Sequence, residues 1–204
     1  MNDMDFDTAL ITAAFSLGAE KGWRHVSPAA AARHAGLDLA KARTAYPCTG
    51  AILKTFGKIA DAVALSNALT EGSVRDRLFD ILLRRFDYLQ MHRPGVLALL
   101  RALPVCPPLA FVMAELNLAS MGWLLEGAGV DATGLRGALA KRGLLVVWAY
   151  GVRAWAEDDS EDLTATMAAV DKALARAESI VNRFSAKPRV EPDSPLPRDT
   201  SPVE

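Results

Sequence analysis

The sequence predicts an all-α protein of about nine helices, and three observations carry that expectation. Ala and Leu dominate an apolar set making up 51% of the 204 residues, while Val and Ile are sparse. That balance favours helix over strand. Apolar residues recur at three- and four-residue spacing, and no segment alternates with a period of two. Gly, Pro and capping residues punctuate the chain at helix-length intervals.

Taken in order, the first helix runs from about Asp5 to Lys21, with Leu10, Ala13, Ala14 and Leu17 on one stripe and Gly22 as its stop. Ser27-Pro28 opens a second helix as N-cap and first helical residue. It ends near His34, where Ala35-Gly36 turns the chain. Asp38 caps a third, short helix that Pro47 closes. A fourth extends from Thr49 to about Leu69, carrying Ile52, Leu53, Phe56, Ile59, Ala60 and Val63 at helical spacing. The fifth, from Ser73 to about Met91, places Leu78, Leu82, Phe86 and Leu89 on one face. Arg93-Pro94-Gly95 is expected to break the chain before a short helix from Val96 to Leu103. Pro104, Pro107 and Pro108 predict a stiff connection to a seventh helix, Leu109 to Glu126, ended by Gly127 and Gly129. Two long helices follow, about Thr133 to Ala156 and Ser160 to Phe184, joined by Glu157-Asp158-Asp159. Residues 186–204 hold five of the eleven prolines and read as a disordered tail.

Composition excludes several classes. Twenty-three basic against 24 acidic side chains leave a net charge of −1, so no uniformly basic coat is available for nucleic acid. Two cysteines, Cys48 and Cys106, make neither a disulfide scaffold nor a four-ligand zinc site. The acidic N-terminus has no apolar signal core, and the longest uncharged run, Ala102 to Ala114, holds three prolines. A soluble, cytoplasmic protein with no membrane span is therefore expected. His25, His34 and His92 are scattered, and no HExxH, P-loop or GxSxG motif is present. The acids Asp158, Asp159, Glu161 and Asp162 read as helix-start capping. No enzyme activity, cofactor or metal is expected.

Residues 9–56 are the informative stretch. Two short helices joined by a tight Ala-Gly turn fit helix-turn-helix geometry, in which the second helix lies in the major groove. Lys41, Arg43, Thr44 and Tyr46 are the side chains the second short helix offers to DNA. Ser27 and Thr49, at helix starts, suit phosphate oxygens, with Arg33 and Lys54 as flanking phosphate contacts. An ordinary three-helix packing unit with an Ala-rich centre fits the spacing equally well.

The 40 residues from Ala14 to Leu53 resemble the helix-turn-helix domain of TetR-family transcriptional regulators, without gaps. The matching elements are Ala19-Glu20-Lys21-Gly22-Trp23, the turn Ala35-Gly36-Leu37-Asp38, the junction Tyr46-Pro47-Cys48 and Ala51-Ile52-Leu53. Departures fall on the recognition helix, Lys41-Ala42-Arg43-Thr44-Ala45-Tyr46. Arg43 stands where the family has a phosphate-contacting Tyr, Ala45 replaces a His, and Thr49 replaces a Lys. Ala31 replaces a core Ile, and Asp3, Asp5 and Asp7 precede or open the first helix where relatives carry basic residues. Residues 1–60 hold seven Lys/Arg against five Asp/Glu, a net of +2. Trp123 to Glu178 resembles the C-terminal region of such regulators and, equally, a lipid-binding accessory protein of ubiquinone biosynthesis that has this fold without a DNA-binding role.

The resemblance implies a DNA-binding domain over 1–50 and a helical ligand-binding and dimerisation domain over 51–185. It implies a homodimer on operator DNA, released by a small apolar ligand; the alternative is a lipid-binding protein that has lost DNA recognition. Phe86, Leu89, Leu99, Leu103, Phe111, Met113, Met121, Trp123 and Trp148 are the candidate pocket wall. The last two helices are the candidate dimer interface, through small residues (Gly143, Ala149, Gly151, Ala154) and two stripes: Leu139, Val146, Val147 and Tyr150, with Leu163, Met167, Val170 and Leu174.

Overall fold

The computed structural model describes residues 3–185, so the expected disordered tail lies outside the described residues. Among them are nine α-helices and no strand: α1 (Asp3–Lys21), α2 (Pro28–His34), α3 (Leu39–Ala45), α4 (Thr49–Leu65), α5 (Val74–Gln90), α6 (Arg93–Ala102), α7 (Pro107–Gly127), α8 (Gly134–Glu157) and α9 (Thr164–Ser185). Short 3-10 turns at Trp23–His25 and Leu103–Val105 complete the path.

Capping chemistry sets most boundaries. Ser27 Oγ accepts from the Ala30 amide at 3.1 Å, and Asp38 Oδ1 from the Lys41 amide at 2.6 Å. Between α2 and α3 the chain turns through Gly36 at φ +64°, a left-handed conformation that glycine adopts without Cβ strain. Ser73 and Asp76 form a reciprocal capping box at the start of α5.

Four boundaries differ from the sequence expectation. α4 stops at Leu65, because Ser66 leaves the helix in an extended conformation and Asn67 follows at φ +56°. Pro94-Gly95 does not break the chain but lies in the first turn of α6, where the missing proline N–H is no loss. Gly95 is there for contact: a Cβ on it would sit 2.5 Å from the Phe15 carbonyl oxygen, so α1 and α6 approach backbone to backbone. By the same proline rule α7 begins at Pro107 rather than Leu109. α9 starts at Thr164 instead of Ser160, because the acidic stretch forms a capping loop. Within it the buried Asp158 accepts 2.8 Å bonds from both the Thr166 amide and hydroxyl.

α1 is the hub of the N-terminal unit, packing on α2 and α6 with Phe6, Leu10, Ile11, Ala14 and Phe15 buried. Behind it, α4, α5, α7, α8 and α9 form the bundle, around Ile81, Leu82, Phe86, Met121, Leu124 and Trp155. α7 departs from the expectation that nothing could span a membrane. Its 21 residues carry only Glu115 and Glu126 as charges, and by length and composition it is apolar enough to cross one. Two isolated glutamates shorten every uncharged run without making the helix polar. Only 22% of its apolar stretch is buried, all in the second half, where Ser120, Met121, Leu124 and Leu125 enter the core.

Candidate functional site

α3 is short because Asp38 caps it and Pro47 follows it, and only Ala42 is buried along its length. Arg43 and Thr44 therefore face outward, although the Thr44 hydroxyl donates back to the Ala40 carbonyl at 3.0 Å. Arg33 on α2 and Lys54 on α4 are exposed. Ser27 Oγ is engaged as the α2 cap, and Thr49 Oγ1 donates to the Val26 carbonyl at 3.0 Å, tying the start of α4 to the link before α2.

Two members of the expected DNA-facing set are held by α1. Tyr46 is 2% exposed, and its hydroxyl donates to Asp7 Oδ1 at 2.6 Å. The expectation that Tyr46 faces DNA is corrected: as the residue after α3 it folds inward as a core aromatic. Burial, then the bond to Asp7, pushes its hydroxyl pKa upward, so it stays protonated. Lys41 Nζ lies 2.6 Å from Asp3 Oδ1 and 4.7 Å from the centre of the Phe6 ring. The bond to Lys41 holds the Asp3 carboxyl below its ordinary range. The α1 acids thus contact this unit from within.

Two open concavities lie on this unit. One, of about 480 Å³, is bounded by Leu17, Lys21, His25, Ala30, Arg33 and His34; the other, of about 350 Å³, by Asp3, Phe6, Asp7, Lys41, Thr44 and Ala45.

The nine expected pocket residues divide. Phe86, Leu89, Leu99, Met121 and Trp148 are buried, and Leu103 and Met113 are half-buried. Phe111 and Trp123, each 68% exposed, project into solvent and are removed from the expected wall. Phe86 stacks on Trp148 with ring centres 4.5 Å apart. None of the nine bounds either concavity.

The candidate interface also divides. Leu135, Leu139, Val146 and Tyr150 stand exposed on one face of α8, at 57–79%. Val147, Leu163, Val170 and Leu174 are instead buried between α8, α9 and the bundle of the same chain. Gly151 serves that internal packing, since a Cβ on it would meet Phe86 and Val170 at 2.9 Å.

Arg85 on α5, Asp61 on α4 and Ser120 on α7 form a buried polar cluster. Arg85 Nε lies 3.2 Å from Asp61 Oδ1, Arg85 Nη2 donates to Ser120 Oγ at 3.2 Å, and Ser120 Oγ donates to Asp61 Oδ2 at 2.5 Å. The Arg85 Cζ sits 4.4 Å from the Trp148 ring centre. Desolvation pushes the Asp61 pKa up and that of Arg85 down, each opposed by its partner's charge. The signal was present in the sequence: Arg85 sits in register with Leu78, Leu82 and Leu89, and Asp61 lies one turn before Ala64 on the buried side of α4.

No family model matches the chain, and no curated protein does. Solved structures match over nearly the whole chain. A TetR transcriptional regulator from Nitrosomonas europaea aligns with TM-score 0.65 at 17% identity, covering 86% of this chain and 99% of that one. A putative TetR-family regulator from Syntrophomonas wolfei aligns at 0.59 and 10%, covering 89% and 97%. A third, from Streptomyces coelicolor, aligns at 0.57 and 18%, covering 94% of each. The chain has the fold of the TetR regulators.

Proposed function

We propose that the protein is a transcriptional regulator that binds operator DNA as a homodimer through α2 and α3 and is released by a small apolar ligand. The observation that carries this is the outward face of α3: a short capped helix, seated on α1 and α2, that presents Arg43 and Thr44 to solvent. Arg33 and Lys54 supply flanking cations, and phosphate contacts from such groups set register while α3 reads base edges. Residues 1–50 then act as the DNA-binding domain and 51–185 as the ligand-binding and dimerisation domain. The exposed face of α8 supports the dimer, because Leu135, Leu139, Val146 and Tyr150 form an apolar stripe that no other described residue covers. Ligand release works by population shift: a ligand favouring one arrangement of the bundle changes the spacing of two α3 helices.

A second reading is a lipid-binding protein that keeps this fold without operator recognition. One observation favours it: α7 is apolar on all sides, yet only 22% of its apolar stretch is buried.

Selection of duplexes from a random pool, with sedimentation of the protein alone, tests the first reading. It expects a two-fold symmetric site with half-sites about 34–36 Å apart and a dimer at micromolar concentration. A monomer of 21.9 kDa that enriches no sequence overturns it. Co-sedimentation with vesicles in that case supports the lipid reading.

A further inference from the structure

The larger of the two open concavities, about 480 Å³, lies where α1, the turn Trp23–His25 and α2 come together. Leu17, buried, and Ala30, half-buried, are its apolar part. Lys21, His25, Arg33 and His34, all exposed, complete the wall, and none of the lining residues is acidic. Arg24 sets a further cation beside it, its Nε donating to His25 Nε2 at 3.0 Å. Neither Lys21 nor Arg33 has an ion-pair partner among the described residues. Helix ends account for part of this charge, because α1 stops at Lys21 and α2 at His34, and terminal carbonyls favour a cation. Two such ends, each worth about half a charge, leave the hollow cationic. The other concavity is its opposite, since Asp3 and Asp7 there outweigh Lys41. Phe6 in that one and Leu17 in this one are about 16 Å apart along α1. The cationic hollow therefore sits at the end of α1 remote from Lys41 and Thr44.

We propose that this concavity binds a small organic phosphate, its doubly charged head held by Lys21 and Arg33 and its apolar body on Leu17 and Ala30. This goes beyond the DNA-binding reading and does not depend on it. Charge selects the class. Two permanent cations in a wall without an acid match a dianion, whereas a monocarboxylate meets only one of them. Arg33 brings a planar fork suited to two phosphate oxygens, and Lys21 a compact point charge. His25 and His34 add ring N–H groups that can donate to the remaining oxygens. The volume falls within the range of small-ligand sites, about 300–1,000 Å³. Because the wall is exposed, each charge contact is screened and weak alone, so saturation is expected at about 1 mM. A phosphate of duplex DNA offers the same chemistry and draws on the same Arg33, and the test separates the two sources.

The test is titration of the full, isotope-labelled chain with phenyl phosphate, inorganic phosphate and benzoate at constant ionic strength, followed by amide chemical shifts. Phenyl phosphate should move the amides of Leu17, Lys21, Ala30 and Arg33 saturably and bind more tightly than either other probe. Lys21→Ala/Arg33→Ala, which alters only exposed side chains, should weaken it about tenfold. Lys21→Arg/Arg33→Lys should keep it, showing that charge is what the site supplies; circular dichroism checks both folds. Equal affinity in the alanine variant overturns the site, as do shifts spread equally over Arg43, Lys54 and Lys58, which mark general anion attraction. Benzoate binding as tightly as phenyl phosphate overturns the dianion class. Absence of a saturable shift overturns the proposal outright. If the alanine variant then also makes the plot of log DNA affinity against log salt shallower by about 1.8, the two cations serve DNA instead. The operator-binding reading stands in each of these outcomes.

Discussion

Lys41 and Arg85 make the same two contacts in opposite settings. Each is paired with an aspartate, Lys41 to Asp3 at 2.6 Å and Arg85 to Asp61 at 3.2 Å, and each lies over an aromatic ring. The side chains of the first pair are 39% and 89% exposed, those of the second 5% and 12%. Water and salt screen the first, which can open and re-form around another anion such as a phosphate. The second has no solvent to fall back on, so removing one partner strands the other. The N-terminal unit therefore carries interchangeable charge, while the bundle carries charge that must stay matched.

Breaking the buried pair should give the largest effect. Arg85→Met leaves Asp61 uncompensated and is expected to cost about 3–5 kcal/mol in urea unfolding. Adding Asp61→Asn should recover most of that loss. A single variant as stable as wild type would show that Asp61 is already neutral. Next comes Gly95→Ala, which drives a methyl to within 2.5 Å of the Phe15 carbonyl and forces α1 from α6. About 1–3 kcal/mol is expected from such overpacking, read as a lowered urea midpoint. Ser27→Ala removes the α2 cap and should cost about 1 kcal/mol, separating a capping role from a phosphate role. If stability is unchanged while DNA affinity drops, the hydroxyl serves DNA. Smaller still is the acid limb. Hydrogen bonds from Ser160, then Thr166, hold the Asp158 carboxyl well below the usual range. Its contribution is complete above the ordinary aspartate pKa, about pH 3.9, and is lost as pH falls below that. Asp158→Asn should flatten the stability profile between neutral pH and pH 2. Least of all in stability is Asp3→Asn, which frees Lys41 of its carboxylate. Unfolding should be unchanged and DNA affinity raised.

Legibility in the sequence followed the range of the interaction. Ser27, Asp38 and Gly36 act within three or four residues, and their caps and turn stand where the spacing placed them. Pro94 is ambiguous in sequence because proline breaks a helix interior but suits a first turn, and the contact between Gly95 and Phe15 goes with the first turn. Local spacing turns Tyr46 outward with the rest of α3; the bond that draws it inward, to Asp7, joins residues 39 apart in sequence. The pocket set failed at Phe111 and Trp123 because bulk alone says nothing about which face of α7 turns inward, and α7 is apolar around its whole circumference. Arg85 was the readable omission, a charge in register with an apolar stripe.

The outward face of α3 carries the proposed DNA contact, and Arg43→Ala tests it directly. Binding of labelled duplex is followed by anisotropy across salt concentrations for wild type and variant, with circular dichroism confirming the fold. Loss of one phosphate contact predicts weaker binding across sequences and a plot of log affinity against log salt shallower by about 0.9. Superimposable affinities and slopes would contradict the assignment of α3 as the DNA-facing helix.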